Sequence, residues 1–461
     1  MTSEVAAAPA DSYAQNARYR RSWYWYDWAN SAYVTTTATV LLGPYLTSVA
    51  KEAACPELAE GAKCLTNLSV LGVPVDPGSL VPYTVTAATI LSAIVLIFVG
   101  AIADRSPRPA RLLGGFAWVG SLAASLMFFL VGSNWQLGVG LMIVAAICLG
   151  SAQVVYDATL CRIASPDERD AVSSRGWALG YLGGGLLLAL NLALVTLKPF
   201  GLDTETAVRI SLLSAGLWWA LFTIIPVKGM WDLRGVERPV VAREAGVVGG
   251  SVRQLWDTFR ELRAFPQTML FLLAYLFFND GIQTVIGASS LYGAEELQLE
   301  QEQLIATILV VQFVAFGGAL LFGRLAARIG AWRSVLLSLV LWTVTVALAF
   351  LVPEKAFYPF LALGVLIGIV LGGSQALSRS LFSQLIPRNR EAEFFSLYQA
   401  MERGTSWFGT LTFGLVHQLT HSYRWAIIAL VVFFVLGGVL LARVDVRKGI
   451  LDAGNEVPRV V

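Results

Sequence analysis

Long apolar runs separated by short polar connections recur along the whole chain. A bilayer core of about 30 Å takes about 20 apolar residues to cross as a helix. By that ruler the pattern predicts twelve membrane helices, over residues 23–45, 81–103, 111–133, 136–163, 174–197, 207–228, 267–292, 304–327, 331–352, 357–385, 395–419 and 423–443. Helices are expected because any other open-chain backbone leaves unpaired amides facing lipid. The first run opens on Trp23-Tyr24-Trp25-Tyr26-Asp27-Trp28-Ala29-Asn30-Ser31-Ala32-Tyr33, with an acid and an amide where hydrocarbon is expected. Asp27 and Asn30 share one helical face, and Trp23, Trp25 and Trp28 are placed to hold the helix end at the headgroups.

Composition agrees with this pattern: of 461 residues 56% are hydrophobic and 14% charged, which excludes an ordinary soluble protein. The net charge of +2 marks no partner, and nothing suggests a nucleic-acid surface. Residues 1–17 are small and polar and the first apolar run is long, so no cleavable signal peptide is expected. Most of the 33 Lys and Arg fall on one side of the predicted topology, leaving Lys51, Lys63, Lys198, Arg209, Lys355 and Arg424 on the other and Arg403 within a helix. That asymmetry places both termini in the cytosol of a multi-pass protein of the cell (inner) membrane. It puts Cys55 and Cys64 outside, where a disulfide and two free thiols are equally open readings.

The longest inner connection, 229–266, divides the helices six and six. The chain then reads as a cytosolic tail (1–22), an amino-terminal six-helix bundle (23–228), a linker (229–266), a carboxy-terminal bundle (267–443) and a second cytosolic tail (444–461). In the linker, Ser251-Val-Arg-Gln254 has capping-box form. Val252, Leu255, Trp256, Phe259 and Leu262 recur at helical spacing, which reads as an amphipathic helix on the inner leaflet. The halves echo each other. Leu149-Gly-Ser-Ala-Gln153 through Arg169 aligns with Leu371-Gly-Gly-Ser-Gln375 through Arg390; Gly100-x-x-x-Asp104-Arg105 with Gly323-x-x-x-Ala327-Arg328; Arg209 with Arg424. Repeated halves suggest a transporter with its site between them near the midplane.

Gly100-Ala-Ile-Ala-Asp-Arg-Ser-Pro-Arg-Pro-Ala-Arg111 resembles the signature loop of the major facilitator superfamily, with Pro107 standing where a glycine is usual. The block Tyr26-Asp27-Trp28-Ala29-Asn30-Ser31-Ala32-Tyr33 is similar to that of one branch, the "unknown major facilitator" group related to the autophagy-linked vacuolar amino-acid effluxers. The resemblance implies an all-α membrane protein of twelve helices in two pseudo-symmetric six-helix bundles. It also implies an alternating-access secondary transporter with relatives tied to amino-acid export. It further implies that Asp104 locks an inward gate by meeting the cytosolic end of helix eleven.

Charged residues inside a bilayer cost several kcal/mol unless they face a cavity or partner. Asp27, Asp157, Asp280, Glu402 and Arg403 therefore ask for one. Asp157 lies five residues before Arg162, and its repeat counterpart is Arg379, so an Asp157–Arg379 pair is a candidate gate; independent snorkelling of each is the alternative. The gate set is Asp27, Asp104, Arg105, Arg108, Asp157, Arg162 and Arg379. Asp280, beside Asn279 and Gln283, falls near the midplane. The candidate substrate or proton cavity is Asn30, Gln153, Asp280, Gln283, Gln375, Glu402 and Arg403, with Asp280 or Glu402 taking a proton or ammonium and Arg403 offering a fork to a carboxylate. A structural polar network is the alternative. Gly180 and Gly184, and Gly364, Gly368 and Gly372, read as close helix packing. His417 and His421 read as a solvated helix end, so no metal is expected.

No Gly-x-x-x-x-Gly-Lys, His-Glu-x-x-His or Gly-x-Ser-x-Gly occurs, which argues against a membrane-embedded enzyme or an ATP-driven pump. The reading is a cofactor-free monomer that moves a small solute with protons as the coupling ion. A nutrient sensor that keeps the fold without turnover is the rival.

Overall fold

The computed structural model describes residues 10–56, 64, 66–234, 263–404 and 407–461. The proposed amphipathic helix at 251–262 lies outside them, as does most of the 229–266 linker.

The chain is helical almost throughout. Before residue 235 it forms α1 (Ala10–Ala32), α2 (Leu42–Ala54), α3 (Leu80–Arg105), α4 (Pro109–Leu126), α5 (Trp135–Ile163), α6 (Arg169–Leu197) and α7 (Thr204–Gly229). After residue 262 it forms α8 (Pro266–Leu291), α9 (Gln301–Ile329), α10 (Ala331–Ala349), α11 (Phe357–Gln384), α12 (Glu391–Gly404), α13 (Trp407–Thr420), α14 (Tyr423–Ala429), α15 (Val431–Ala442) and α16 (Val446–Asp452). Among the described residues ten helical stretches are long and apolar enough to cross a membrane. Two predicted spans have a different form. The one at 23–45 sits in a longer helical run from Ala10 to Ala54 that widens to a π-helix over Tyr33–Leu41, where Leu42 N–H reaches back to Thr37 O. The one at 395–419 is helical over α12 and α13, on either side of residues 405–406, which lie outside the described residues.

Local chemistry sets the ends. Asp203 caps α7 by accepting from Thr206 N–H at 2.7 Å, and that bond holds its carboxyl below the usual range. Glu300 and Gln303 form a reciprocal capping box on α9. Between α2 and α3, β1 (Leu68–Val70) and β2 (Val73–Val75) make a small antiparallel hairpin that the sequence pattern does not announce. Its turn needs positive φ at both central residues, met by Leu71 (51°) and Gly72 (84°). Cys55 and Cys64 are joined by a disulfide nearby.

Small residues let the helices approach closely. A Cβ on Gly184 would stand 2.6 Å from Thr35 Oγ1 of the π-helical segment, and one on Gly368 would stand 2.9 Å from Val311 O of α9. The helices before residue 235 and those after 262 meet along two crossings, α3 with α12 and α6 with α9, with α5, α6 and α11 between them. Arg209 and Arg424, repeat counterparts, do the same work at the opposite end. Arg209 donates to Phe128 O (2.7 Å) and Arg424 to Phe350 O (3.0 Å). Each satisfies a carbonyl in the turn that closes the preceding hairpin of helices.

Candidate functional site

The arginine-rich end of the molecule is closed by a buried ionic cluster. Arg379 of α11, 1% exposed, donates from Nη1 to Asp157 of α5 and from Nη2 to Asp27 of α1, both at 3.2 Å. Its Nε reaches Ser173 Oγ of α6 at 2.9 Å, and Nη2 also reaches Ser173 O at 3.1 Å. The guanidinium lies over the rings of Trp23, Tyr156 and Trp177, at 4.9, 5.3 and 5.4 Å. Two carboxylates against one guanidinium leave surplus negative charge, which hydrogen bonds absorb. Tyr156 Oη donates to Asp27 (2.7 Å) and Gln399 Nε2 to Asp157 (2.9 Å). Leaving any of these charges unpaired in so dry a place would cost several kcal/mol.

A second lock sits beside it. Asp104, at the end of α3, accepts from the backbone N–H groups of Ala392 and Glu393 at 3.0 and 2.9 Å, so its carboxylate caps the first turn of α12. Gly100, one turn earlier, makes the approach feasible: a Cβ there would lie 2.7 Å from Ser396 Oγ and 2.8 Å from Ala392 O. Around these, Arg169 donates to Ser383 O (2.7 Å), Ser173 Oγ to Ala376 O (2.7 Å), and the half-buried Cys161 thiol lies 3.8 Å from Ser383 O. Arg20 pairs with Glu168 at the rim.

Deeper in, the polar groups are less completely paired. Asp280 of α8 accepts from Gly409 N–H of α13 at 2.8 Å through Oδ2, while Oδ1 is buried without a hydrogen bond among the described residues. Gln375 donates to Asn279 (3.1 Å), and its Oε1 is also unpartnered among the described residues. Glu402 accepts from Tyr275 Oη (3.1 Å) and Gln399 Nε2 (3.3 Å). Arg403, next along α12, is half-buried with its Nε unpaired among the described residues. A Cβ on Gly150 of α5 would stand 3.3 Å from that nitrogen, so Arg403 reaches across to the amino-terminal helices.

The structure brings Asp27, Asp157 and Arg379 into one cluster and Asp104 to α12. It leaves Arg105 and Arg108 exposed, because α3 ends at Arg105 and the turn to α4 carries both bases outward. Arg162 is half-buried, with Nε and Nη1 making no hydrogen bond among the described residues. Asn30 turns inward on its own helix, donating to Tyr26 O (2.7 Å); Gln153 is buried and Gln283 half-buried. Trp23 corrects the headgroup-anchor expectation. It is wholly buried, stacks on Tyr156 at 4.1 Å and donates to Tyr156 O, because the helix extends well before it and its ring faces the cluster. Trp25 and Trp28 pack on Phe222 and Trp218 of α7. His417 stacks on Tyr423 at 3.9 Å. Sequence reasoning missed Tyr156, Ser173, Tyr275 and Gln399; uncharged residues in apolar helices carry no signal of their own, and only Tyr156 and Gln399 sit within a turn of an intramembrane acid.

The family model described as "Vacuole effluxer Atg22 like" matches residues 15–454. The Bacillus subtilis (strain 168) MFS-type transporter YxiO is 29% identical over 446 residues, covering 96% of this chain and 98% of that one. Autophagy-related protein 22 of Kluyveromyces lactis is 24% identical, covering 97% and 98%. In fold, the chain is similar to a bacterial homologue of the iron transporter ferroportin in an outward-facing state, with TM-score 0.66, 14% identity and coverage of 93% and 98%. The buried charge cluster thus sits in a helical multi-pass membrane protein of the major facilitator fold, and the chain belongs to the Atg22-like family of MFS-type transporters.

Proposed function

We propose that the protein is a secondary active transporter that exports a small amino-acid-like solute by alternating access, with protons as the coupling ion. The observation that carries this reading is the Asp27–Arg379–Asp157 cluster: it ties helices from both ends of the chain together at one end, in a geometry that can form and break. Two six-helix halves, 23–228 and 267–443, joined by the 229–266 linker, are the moving bodies. The arginine-rich end is the cytosolic one, with both termini inside a cell membrane. The conformation described here is then the one closed toward the cytosol.

Asp27, Asp104, Asp157 and Arg379 are the gate in this reading. Asp280, Gln375, Glu402 and Arg403, with Asn30, Gln153 and Gln283 around them, form the solute and proton region. Asp280 Oδ1, Gln375 Oε1 and Arg403 Nε, unpaired among the described residues, support that assignment, since buried polar atoms in native proteins are nearly always bonded and a zwitterion supplies the missing donors and acceptor. Vacuolar efflux in the family's description supports the direction. The test is a proteoliposome panel of labelled amino acids, peptides and sugars, run with and without a proton gradient. Gradient-dependent flux of an amino acid that Arg403→Ala and Asp280→Asn abolish is the expected result. Flux of none of the panel, or flux unchanged in both variants, overturns it.

A further inference from the structure

One side chain connects the gate to the deeper acids. Gln399 of α12 is 2% exposed and its Nε2 stands 2.9 Å from Asp157 Oδ2 and 3.3 Å from Glu402 Oε2. Its Oε1 is buried with no hydrogen bond among the described residues. The chain Asp27–Arg379–Asp157–Gln399–Glu402–Tyr275 is therefore continuous, and the amide is its only uncharged link between two carboxylates.

We infer that Gln399 couples the charge on Glu402 to the Arg379 gate, by turning its amide when Glu402 is neutralised. This rests on the alternating-access reading above. A primary amide offers two N–H donors on one side and one acceptor on the other. Facing two carboxylates, it spends both hydrogens and leaves the oxygen idle, as seen here. A protonated Glu402 presents an O–H that the NH2 group cannot accept. Rotating the amide by a half turn puts Oε1 toward Glu402 to accept that proton. The same rotation withdraws the donor from Asp157 and points a carbonyl at its carboxylate. Asp157 loses a bond and meets a repulsion, so the closed arrangement that keeps it dry is destabilised against an open one in which water reaches it. The coupling is reciprocal: an opened gate favours neutral Glu402. The groups that face Glu402 are Asp157 from α5, Tyr181 from α6, Tyr275 from α8, Arg379 from α11, and Tyr398 and Arg403 from α12 itself. Of these, Tyr275 bonds Glu402 directly and Asp157 is linked to it through Gln399, which thereby leads to the gate.

The test reads the gate without a substrate. Spin labels at Lys228→Cys and Arg328→Cys, on the full chain with Cys148→Ala and Cys161→Ser, report the separation of the two arginine-rich helix ends by pulsed EPR. Glu402→Gln mimics the neutral acid and should raise the long-distance population several-fold in the parent. In a Gln399→Met background the same Glu402→Gln change should raise it little or not at all, a non-additivity that a merely structural glutamine would not produce. Should Gln399→Met fail to fold, Gln399→Asn, which keeps the amide but is one methylene short of both acids, takes its place. Equal opening by Glu402→Gln with and without Gln399 overturns the coupling. No opening by Glu402→Gln, when Arg379→Ala does open that end, overturns the coupling and leaves alternating access standing. No movement with Arg379→Ala either overturns both.

Discussion

The two crossings that join the early helices to the late ones are counterparts of each other that differ in charge. At α3/α12, Gly100 lets α12 pass over it and Asp104, one turn on, caps the helix it meets. At α9/α6, the counterpart Gly323 lets α6 pass, with a Cβ there 2.7 Å from Ser174, but the counterpart of Asp104 is Ala327, which has nothing to accept with. Among the described residues, one crossing is held by packing and charge, and the other shows packing without a charged contact. Between them, on the pseudo-symmetry relation itself, the counterparts Asp157 and Arg379 face each other with opposite sign. The shape is present twice, whereas the charged contacts lie on one side and on the axis.

Removing the cation that lies between the crossings should have the largest effect. Arg379→Ala leaves Asp27 and Asp157 buried without a cation and should cost about 3–5 kcal/mol of the closed state. Thermal unfolding in detergent should show a drop of many degrees, largely restored when Asp27→Asn and Asp157→Asn are added. Gly100→Ala comes next, at about 1–3 kcal/mol, because the new methyl meets the backbone oxygen of Ala392 as well as Ser396. Gly323→Ala meets only the Ser174 side chain at short range and should cost less; the ranking of their unfolding midpoints checks this. Asp104→Ala removes the α12 cap and should cost about 0.5–2 kcal/mol, read as faster hydrogen exchange at the Ala392 and Glu393 amides. Smallest is Glu456→Ala, which breaks an exposed pair with Arg388 and should shift stability by less than about 0.5 kcal/mol.

Much of this was legible in the chain. Apolar run length marks ten of the twelve spans that the described residues show, because the bilayer fixes it, and the internal echoes alone pair Asp157 with Arg379. Gly100 and Asp104 were marked by a loop signature. What the chain hid was partnership among neutral groups. Tyr156, Ser173 and Gln399 are ordinary members of helices until three other helices converge on them. The fate of Trp23 was hidden for the same reason: its spacing suits a headgroup anchor and a core ring equally, and only the place of Arg379 decides.

On the alternating-access reading the Arg379 cluster, and not the deeper Asp280, holds the arginine-rich end shut. Native Cys161 reads it directly, since its thiol sits at the α5/α11 contact, Cys55 and Cys64 are bonded to each other, and Cys148→Ala removes the other free thiol. Its rate of alkylation by a membrane-impermeant maleimide should be low in the parent and in Asp280→Asn, and at least tenfold faster in Arg379→Ala. Equal rates in the parent and Arg379→Ala, or an Asp280→Asn protein as reactive as Arg379→Ala, would contradict the account.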